Sequence, residues 1–456
     1  MKDRFGVDWS KTRGSVFWRR PILGRRTFFR HIAAAVSGYW LAPGRPMETV
    51  AKAAVTPVGT AKNCIFILLT GAPSHTDTFD LKEGSWTPSY FNPTSYGDIR
   101  FPQGLMPNVA AHLDSIALLR SVRAWNTAHP LAQTWVQLGR NPASGLSKIA
   151  PHIGSVVALE LGPKSPNQIL PPFISLNASS GPDQGYLPPQ YGPFYVSPGG
   201  GGLANTRHPD GVTAFNRRYA MLQDIDAELR SDPAIGGEAE DVVVNGEKAR
   251  GLMYNPAVDA IFNFDAATKA AYGNSSFGNA CITARNLIRA DLGTRFIQIS
   301  FGTWDHHTSI YAPNANLQAM SRQFDAAFGQ LLADLKQDGL LDQTLVLALG
   351  EFGRTVGPLN ANGGRDHHVQ QTVVFAGAGI RGMRAIGSTN ASGSDIAEPG
   401  WSRNREVKPE DIEATIYSAL GIDWTTVRHD DPLNRGFEYV PQTGPVEYGP
   451  VNELWS

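Results

Sequence analysis

Five of the eleven histidines in this chain, His75, His306, His307, His367 and His368, lie in short segments that also carry carboxylates, and a sixth, His129, opens a run with helical spacing. Four of these segments carry the pattern. They read Thr70-Gly71-Ala72-Pro73-Ser74-His75-Thr76-Asp77-Thr78-Phe79-Asp80, Gly302-Thr303-Trp304-Asp305-His306-His307, Gly350-Glu351-Phe352-Gly353-Arg354-Thr355 and Gly364-Arg365-Asp366-His367-His368. Imidazole and carboxylate together are the usual donors for zinc, manganese or iron, and carboxylate-rich sets suit magnesium, manganese or calcium. One isolated Asp-His-His is more often a capped turn or a surface loop. Several such clusters at the ends of successive apolar runs point to a metal or phosphate-type site. The expected cofactor is a divalent metal, zinc first, with manganese, magnesium or calcium as alternatives.

A metal in such a site acts as a Lewis acid on a phosphoryl or sulfuryl oxygen and lowers the pKa of a bound water. Arg354 and Arg365 offer bidentate hydrogen bonds to an oxyanion, and structural ion pairs to neighbouring carboxylates are the competing reading. His129 offers a nucleophile, a general base or a ligand. Glu351 is either a ligand or the partner of Arg354.

These residues need elements to hold them. Cys64 to Leu69 is a continuous apolar run, the pattern of a strand buried on both faces of a parallel sheet. Arg295 to Phe301, Thr344 to Leu349 and Thr372 to Ala376 read as further strands. Helical spacing covers Leu105 to Leu119, His129 to Leu138 and Ala319 to Leu335, the last ended by Gly339. Pro409-Glu410-Asp411 opens a final helix that Gly421 closes. Strands alternating with helices predict an α/β fold with a mostly parallel central sheet and helices on both faces. In such sheets, sites form beyond the carboxyl ends of the strands.

The segment 160–210 is rich in Pro, Gly, Ser and Asn, and 212–292 is helical in pattern. The domain reading is therefore a first core part over 54–160, a loop-rich and helical insertion or cap over 161–280, and a second core part with the C-terminal tail over 281–456. Lys and Arg number 40 against 41 Asp and Glu, so no basic stripe for nucleic acid and no polybasic membrane patch is expected. Two cysteines, Cys64 and Cys281, exclude a disulfide scaffold and leave one bridge open. No span through a membrane is expected in the mature chain.

The first residues carry a separate signal. Gly24-Arg25-Arg26-Thr27-Phe28-Phe29-Arg30 follows a basic stretch and precedes a short apolar run from Ile32 to Leu41. Ala51-Lys52-Ala53 then offers a small-x-small cleavage site. Residues 1–53 thus read as a twin-arginine export signal, with the translocase as a transient partner and a periplasmic or extracellular destination.

The four motifs, in this order, resemble the bacterial family called domain of unknown function 1501, over nearly the whole chain. That family is similar in fold to the alkaline phosphatase and sulfatase superfamily, which uses two metal ions and a nucleophile at a helix start. The resemblance implies an alkaline phosphatase-like fold. It makes Asp305 and His307 look like ligands of one metal, completed by His367 or His368. Thr344 to Gly353 resembles the sulfatase strand ending Ser-Asp-His-Gly. That places Glu351 on the aspartate of a second metal and Phe352 on its histidine, a departure. Sulfatases end the first strand with an aspartate pair; here Thr70-Gly71 stands there, with His75, Asp77 or Asp80 as substitutes. The nucleophile's place is held by His129, with Thr127 nearby and no cysteine to become formylglycine. The implied function is an exported metal-dependent hydrolase of small-molecule or glycan phosphate or sulfate esters, and not a formylglycine sulfatase. The alternative is a catalytically degenerate relative that binds a periplasmic ligand or glycan.

Overall fold

β1 (Asn63–Thr70) is the organising strand, with seven of its eight residues buried. It pairs in parallel with β5 (Phe296–Gly302) on one side and β6 (Thr344–Leu349) on the other. The computed structural model describes residues 55–145, 149–163, 168–231, 237–442 and 446–456. The export signal expected over 1–53 lies outside the described residues.

β2 (Ile116–Arg123), β3 (Phe173–Leu176), β4 (Phe194–Val196), β7 (Gln370–Ala376) and β8 (Arg384–Ile386) complete the sheet. The spatial order is β8-β2-β7-β6-β1-β5-β3-β4. All neighbours are parallel except β7, which runs antiparallel to both β2 and β6. That reversal matters for the chemistry. The loops after β1, β2, β5 and β6 open at the carboxyl edge, and the loop before β7 opens there too. The Asp366-His367-His368 motif therefore precedes its strand and still meets the others.

Alternation along β1 sends residues to opposite faces. Ile65, Ile67 and Leu69 join a core with Phe277 of α3 (Ser276–Ala290) and Phe324 and Phe328 of α4 (Asn316–Gln337). Phe66 packs on Phe296, and Phe296 on Phe173, on the other face. α2 (Ile153–Leu161) closes that face: a Cβ on Gly154 would lie 2.5 Å from the Phe296 ring, so only glycine permits the approach. Helices thus cover both faces. Thr56–Ser456 is one unit. No described helix is long and apolar enough to cross a membrane.

Two expectations change. Residues 161–280 are not wholly outside the sheet, because Phe173–Leu176 and Phe194–Val196 extend it beyond β5. Phe173–Leu176 is short but fully buried, and Pro and Gly around it mask the signal. The helical part follows, with helices Gly211–Ser231, Gly237–Leu252, Pro256–Phe262 and Ala266–Ala271. Second, Leu105 to Leu119 is not one helix. Only Pro107–Ala110 is α-helical, and Ile116 already begins β2, where cross-strand burial overrides helical spacing. Cys64 in β1 and Cys281 in α3 are buried free thiols, and the bridge left open by the sequence is not formed.

Candidate active site

α1 (His129–Leu138) starts at the carboxyl edge of the sheet, with Pro130 in its first turn and Gly139 in the left-handed conformation at its end. Its first residue, His129, meets the loops after β5 and β6. His129 Nδ1 lies 2.6 Å from Glu351 Oε1, and His129 Nε2 lies 3.4 Å from Asp305 Oδ1. Asp305 Oδ1 also sits 3.0 Å from His307 Nε2 and 3.7 Å from His367 Nε2. The two latter nitrogens are 3.0 Å apart. Donor atoms of His129, Asp305 and His367 all fall within 4.8 Å of one another.

The far nitrogen of each ring is spoken for. His129 Nδ1 faces Glu351 Oε1, His367 Nδ1 lies 2.7 Å from the Thr127 carbonyl, and His307 Nδ1 lies 3.1 Å from Asp366 Oδ1. A carbonyl can only accept, so His367 carries its proton on Nδ1. Arg354 can only donate, and it donates to His307 Nε2, so His307 also carries its proton on Nδ1; for His129 the much closer carboxylate, Glu351 at 2.6 Å against Asp305 at 3.4 Å, assigns the same tautomer. Three Nε2 lone pairs therefore converge on a carboxylate oxygen. One of them, on His307, receives Arg354 Nη1 at 3.3 Å. His129 Nε2 has no hydrogen-bond partner. Facing lone pairs repel unless a cation lies among them. Zinc–nitrogen bonds of about 2.0–2.1 Å in tetrahedral geometry put donors roughly 3.3 Å apart, close to the 3.0–3.7 Å found around Asp305. The donor set fits a divalent cation.

Electrostatics follow from these contacts. The hydrogen bond to Glu351 raises the His129 pKa. Burial works to raise that of Asp305, but the Arg354 hydrogen bond and charge bring it below the usual carboxylate range. Burial, then Arg354, lowers that of His367. His307 and Asp305 are about 40% exposed, so the cluster opens to solvent on their side. Phe352 is fully buried and closes the other side, its ring centroid 4.8 Å from His129 and 4.7 Å from His367.

Several residues proposed from sequence stand elsewhere. Arg365 is fully buried, and all five of its donors are used: two on Asp77 at 2.6 and 3.0 Å, and the others on Tyr311 Oη, Thr355 O and Gly357 O. It braces two loops and has no N–H left for an oxyanion, and Asp77 is its partner, not a ligand of the cluster. Arg354 is saturated too, on Gly71 O, Ala72 O, Arg365 O, His307 and Asp305. It steadies the cluster from below. His75 is buried with Nε2 2.9 Å from Gly393 O, and burial pushes its pKa down to about 4. Asp80 contacts Lys82, Arg120 and Thr389. His368 accepts from Gln370 N and stacks on His75. His367 and His368 form a two-residue strand, whose alternation sends only His367 toward Asp305. Buried His306 has its pKa pushed down to about 4, first by burial and then by Arg354.

Glu351 is held one shell outside the cluster. Its Oε1 accepts from Gly71 N at 3.0 Å and Gln133 Nε2 at 3.1 Å besides facing His129. Gln133, Asp366 and the Thr127 carbonyl have no assigned part in the sequence expectations. Gln133 follows His129 by four residues, one helical turn on the same face, which is a readable signal. Gly71 is readable only in space. Its φ is +94°, and a Cβ there would lie 2.7 Å from the backbone nitrogens of Trp304 and Asp305.

Fold and site together define a mostly parallel α/β protein with a histidine–aspartate cluster at the carboxyl edge of its sheet. A model of the family described as "Protein of unknown function (DUF1501)" matches residues 61–437, and the chain belongs to that family. No curated protein matches. Among solved structures, the chain is similar to Ps i-CgsB, at 12% identity and TM-score 0.41, over 85% of this chain and 76% of that one. It is similar to the PsFucS1 sulfatase from Pseudoalteromonas sp., at 13% identity and TM-score 0.40, over 80% and 68%. A protein of the alkaline phosphatase superfamily from Vibrio parahaemolyticus matches at 12% identity and TM-score 0.34, over 81% and 69%.

Proposed function

We propose that the chain is an exported, metal-dependent hydrolase of phosphate or sulfate esters, with one divalent cation of the zinc class among His129, Asp305, His307 and His367. The observation that carries this is the convergence of three Nε2 atoms on one carboxylate, each ring fixed by an acceptor at Nδ1. When bound, such a cation polarises an ester oxygen and makes a water more acidic. The chain's own residues do the rest. Glu351, Asp366 and the Thr127 carbonyl hold the ring protons away from the cluster. Arg354 fixes Asp305 at 2.6 Å. Phe352 keeps water out from beneath. Neither cysteine belongs to the cluster, which supports chemistry without formylglycine. The Arg-Arg segment near the N-terminus supports a periplasmic or extracellular location, and a small-molecule or glycan ester is the substrate class in view.

Aryl phosphate and aryl sulfate turnover tests the reading. Turnover that a chelator removes, zinc restores and Asp305→Ala abolishes is the expected result. Turnover unchanged in Asp305→Ala overturns it. A second reading, a ligand-binding member without turnover, is favoured by one observation: both buried arginines have spent every donor on the protein. It predicts zinc binding with no turnover of either ester.

A further inference from the structure

Glu351 sits at the end of β6, where a ligand is expected, and its geometry is that of a different part. Its Oε1 meets three donors, His129 Nδ1, Gly71 N and Gln133 Nε2. Its Oε2 is buried and touches no polar partner, and the side chain is fully buried while the cluster beyond it is open to solvent. An oxygen already facing three N–H groups has no lone pair left for a cation. The next residue, Phe352, fills the space under the imidazoles with an apolar ring rather than another donor.

We infer that Glu351 is a positioning residue: with Gly71 N and Gln133 it holds the proton of His129 on Nδ1 and aims Nε2 at the cation place, without touching the ion. This rests on the cation reading above and deepens it. The arrangement is the carboxylate–histidine–metal pattern, in which an outer carboxylate fixes tautomer and ring angle and raises ligand basicity. The segment Thr127–Gln133 then serves the site three times: through the Thr127 carbonyl for His367, through His129 itself, and through Gln133 for Glu351.

The test is zinc affinity of the full chain, measured by competition with a chromophoric chelator, for wild type, Asp305→Ala, Glu351→Ala and Glu351→Gln. A positioning role predicts that Glu351→Ala weakens zinc by about 10- to 100-fold. Glu351→Gln keeps an acceptor at Oε1 and restores most of that loss. A long-range ¹H–¹⁵N spectrum, assigned with His129→Ala, reads the tautomer directly: Nδ1–H in wild type and in Glu351→Gln, a mixture in Glu351→Ala. If Glu351→Ala does not fold, Glu351→Gln decides alone, because a ligand role predicts a loss as large as that of Asp305→Ala. Such a loss, or an unchanged affinity in Glu351→Ala, overturns the inference. Wild type that binds no zinc overturns the cation reading instead, so the two failures are distinguishable.

Discussion

Gly71→Ala strikes the joint between β1 and the site. Gly71 has φ +94°, and a Cβ there would stand 2.7 Å from Trp304 N and Asp305 N and 3.1 Å from Trp304 C, all backbone atoms. No side-chain rotation relieves such an overlap. An L-residue in the left-handed region costs about 1–2 kcal/mol, and overpacking adds about 1–3 kcal/mol. The sum, about 2–5 kcal/mol, is within the about 5–15 kcal/mol that holds a typical domain, so the variant folds and is weakened. Moving this backbone also disturbs Gly71 N on Glu351 and Gly71 O on Arg354. The assay is the urea midpoint at unchanged m-value, with zinc affinity alongside. Gly97→Ala is the control, since Gly97 has φ +58° and nothing within 4 Å of its Cβ position. It should cost about 1–2 kcal/mol and leave zinc affinity unchanged. If the two variants lose equal stability and bind zinc alike, the proposed coupling of the Gly71 turn to Asp305 is wrong.

Three further outcomes follow from single contacts. Asp77→Asn leaves buried Arg365 without its charge partner; it should cost about 3–5 kcal/mol in stability while zinc affinity holds, and a selective loss of zinc would make Asp77 part of the site. His367→Ala should abolish tight zinc binding and His368→Ala should not, as a side-by-side titration would show; the reverse would contradict the placement of the pair. Burial pushes the Glu413 carboxyl up to about 8, from an ordinary value of 4.5. A raised acid binds its proton more tightly when folded, so its contribution is fully present below about pH 4.5, is lost progressively as pH rises above that, and is gone once pH passes about 8. The melting temperature of wild type should therefore fall more steeply than that of Glu413→Gln between about pH 5 and about pH 8, and parallel curves would refute this.

The strands that carry the site were legible because they are continuous apolar runs, and the carboxyl-edge rule then pointed to their loops. Asp305 and His307 follow from that rule, whereas the strand before His129 reads as part of a helix, and His129 is reached through the family resemblance. The choice between His367 and His368 follows from neither, since it depends on β7 running against its neighbours and on alternation in a two-residue strand. For the arginines the sequence left an oxyanion clamp and an ion pair open, and the structure has the ion pairs, Arg354 with Asp305 and Arg365 with Asp77. Their remaining donors go in part to backbone carbonyls, of Gly71, Ala72, Thr355 and Gly357, and carbonyls leave no mark in a sequence. Glu351 sat in a recognisable motif, yet its role depends on Gln133 and Gly71 N, which approach it from a helix and a turn. The strands Phe173–Leu176 and Phe194–Val196 were too short to stand out among Pro and Gly, and only pairing beside β5 reveals them.

The central claim is that His129, Asp305, His307 and His367 hold one cation. Calorimetric titration of the chelator-treated, dialysed full chain with zinc tests it most directly. One tightly bound zinc per chain, lost in Asp305→Ala, is the expected result. No binding by wild type, or equal binding by Asp305→Ala, would contradict it.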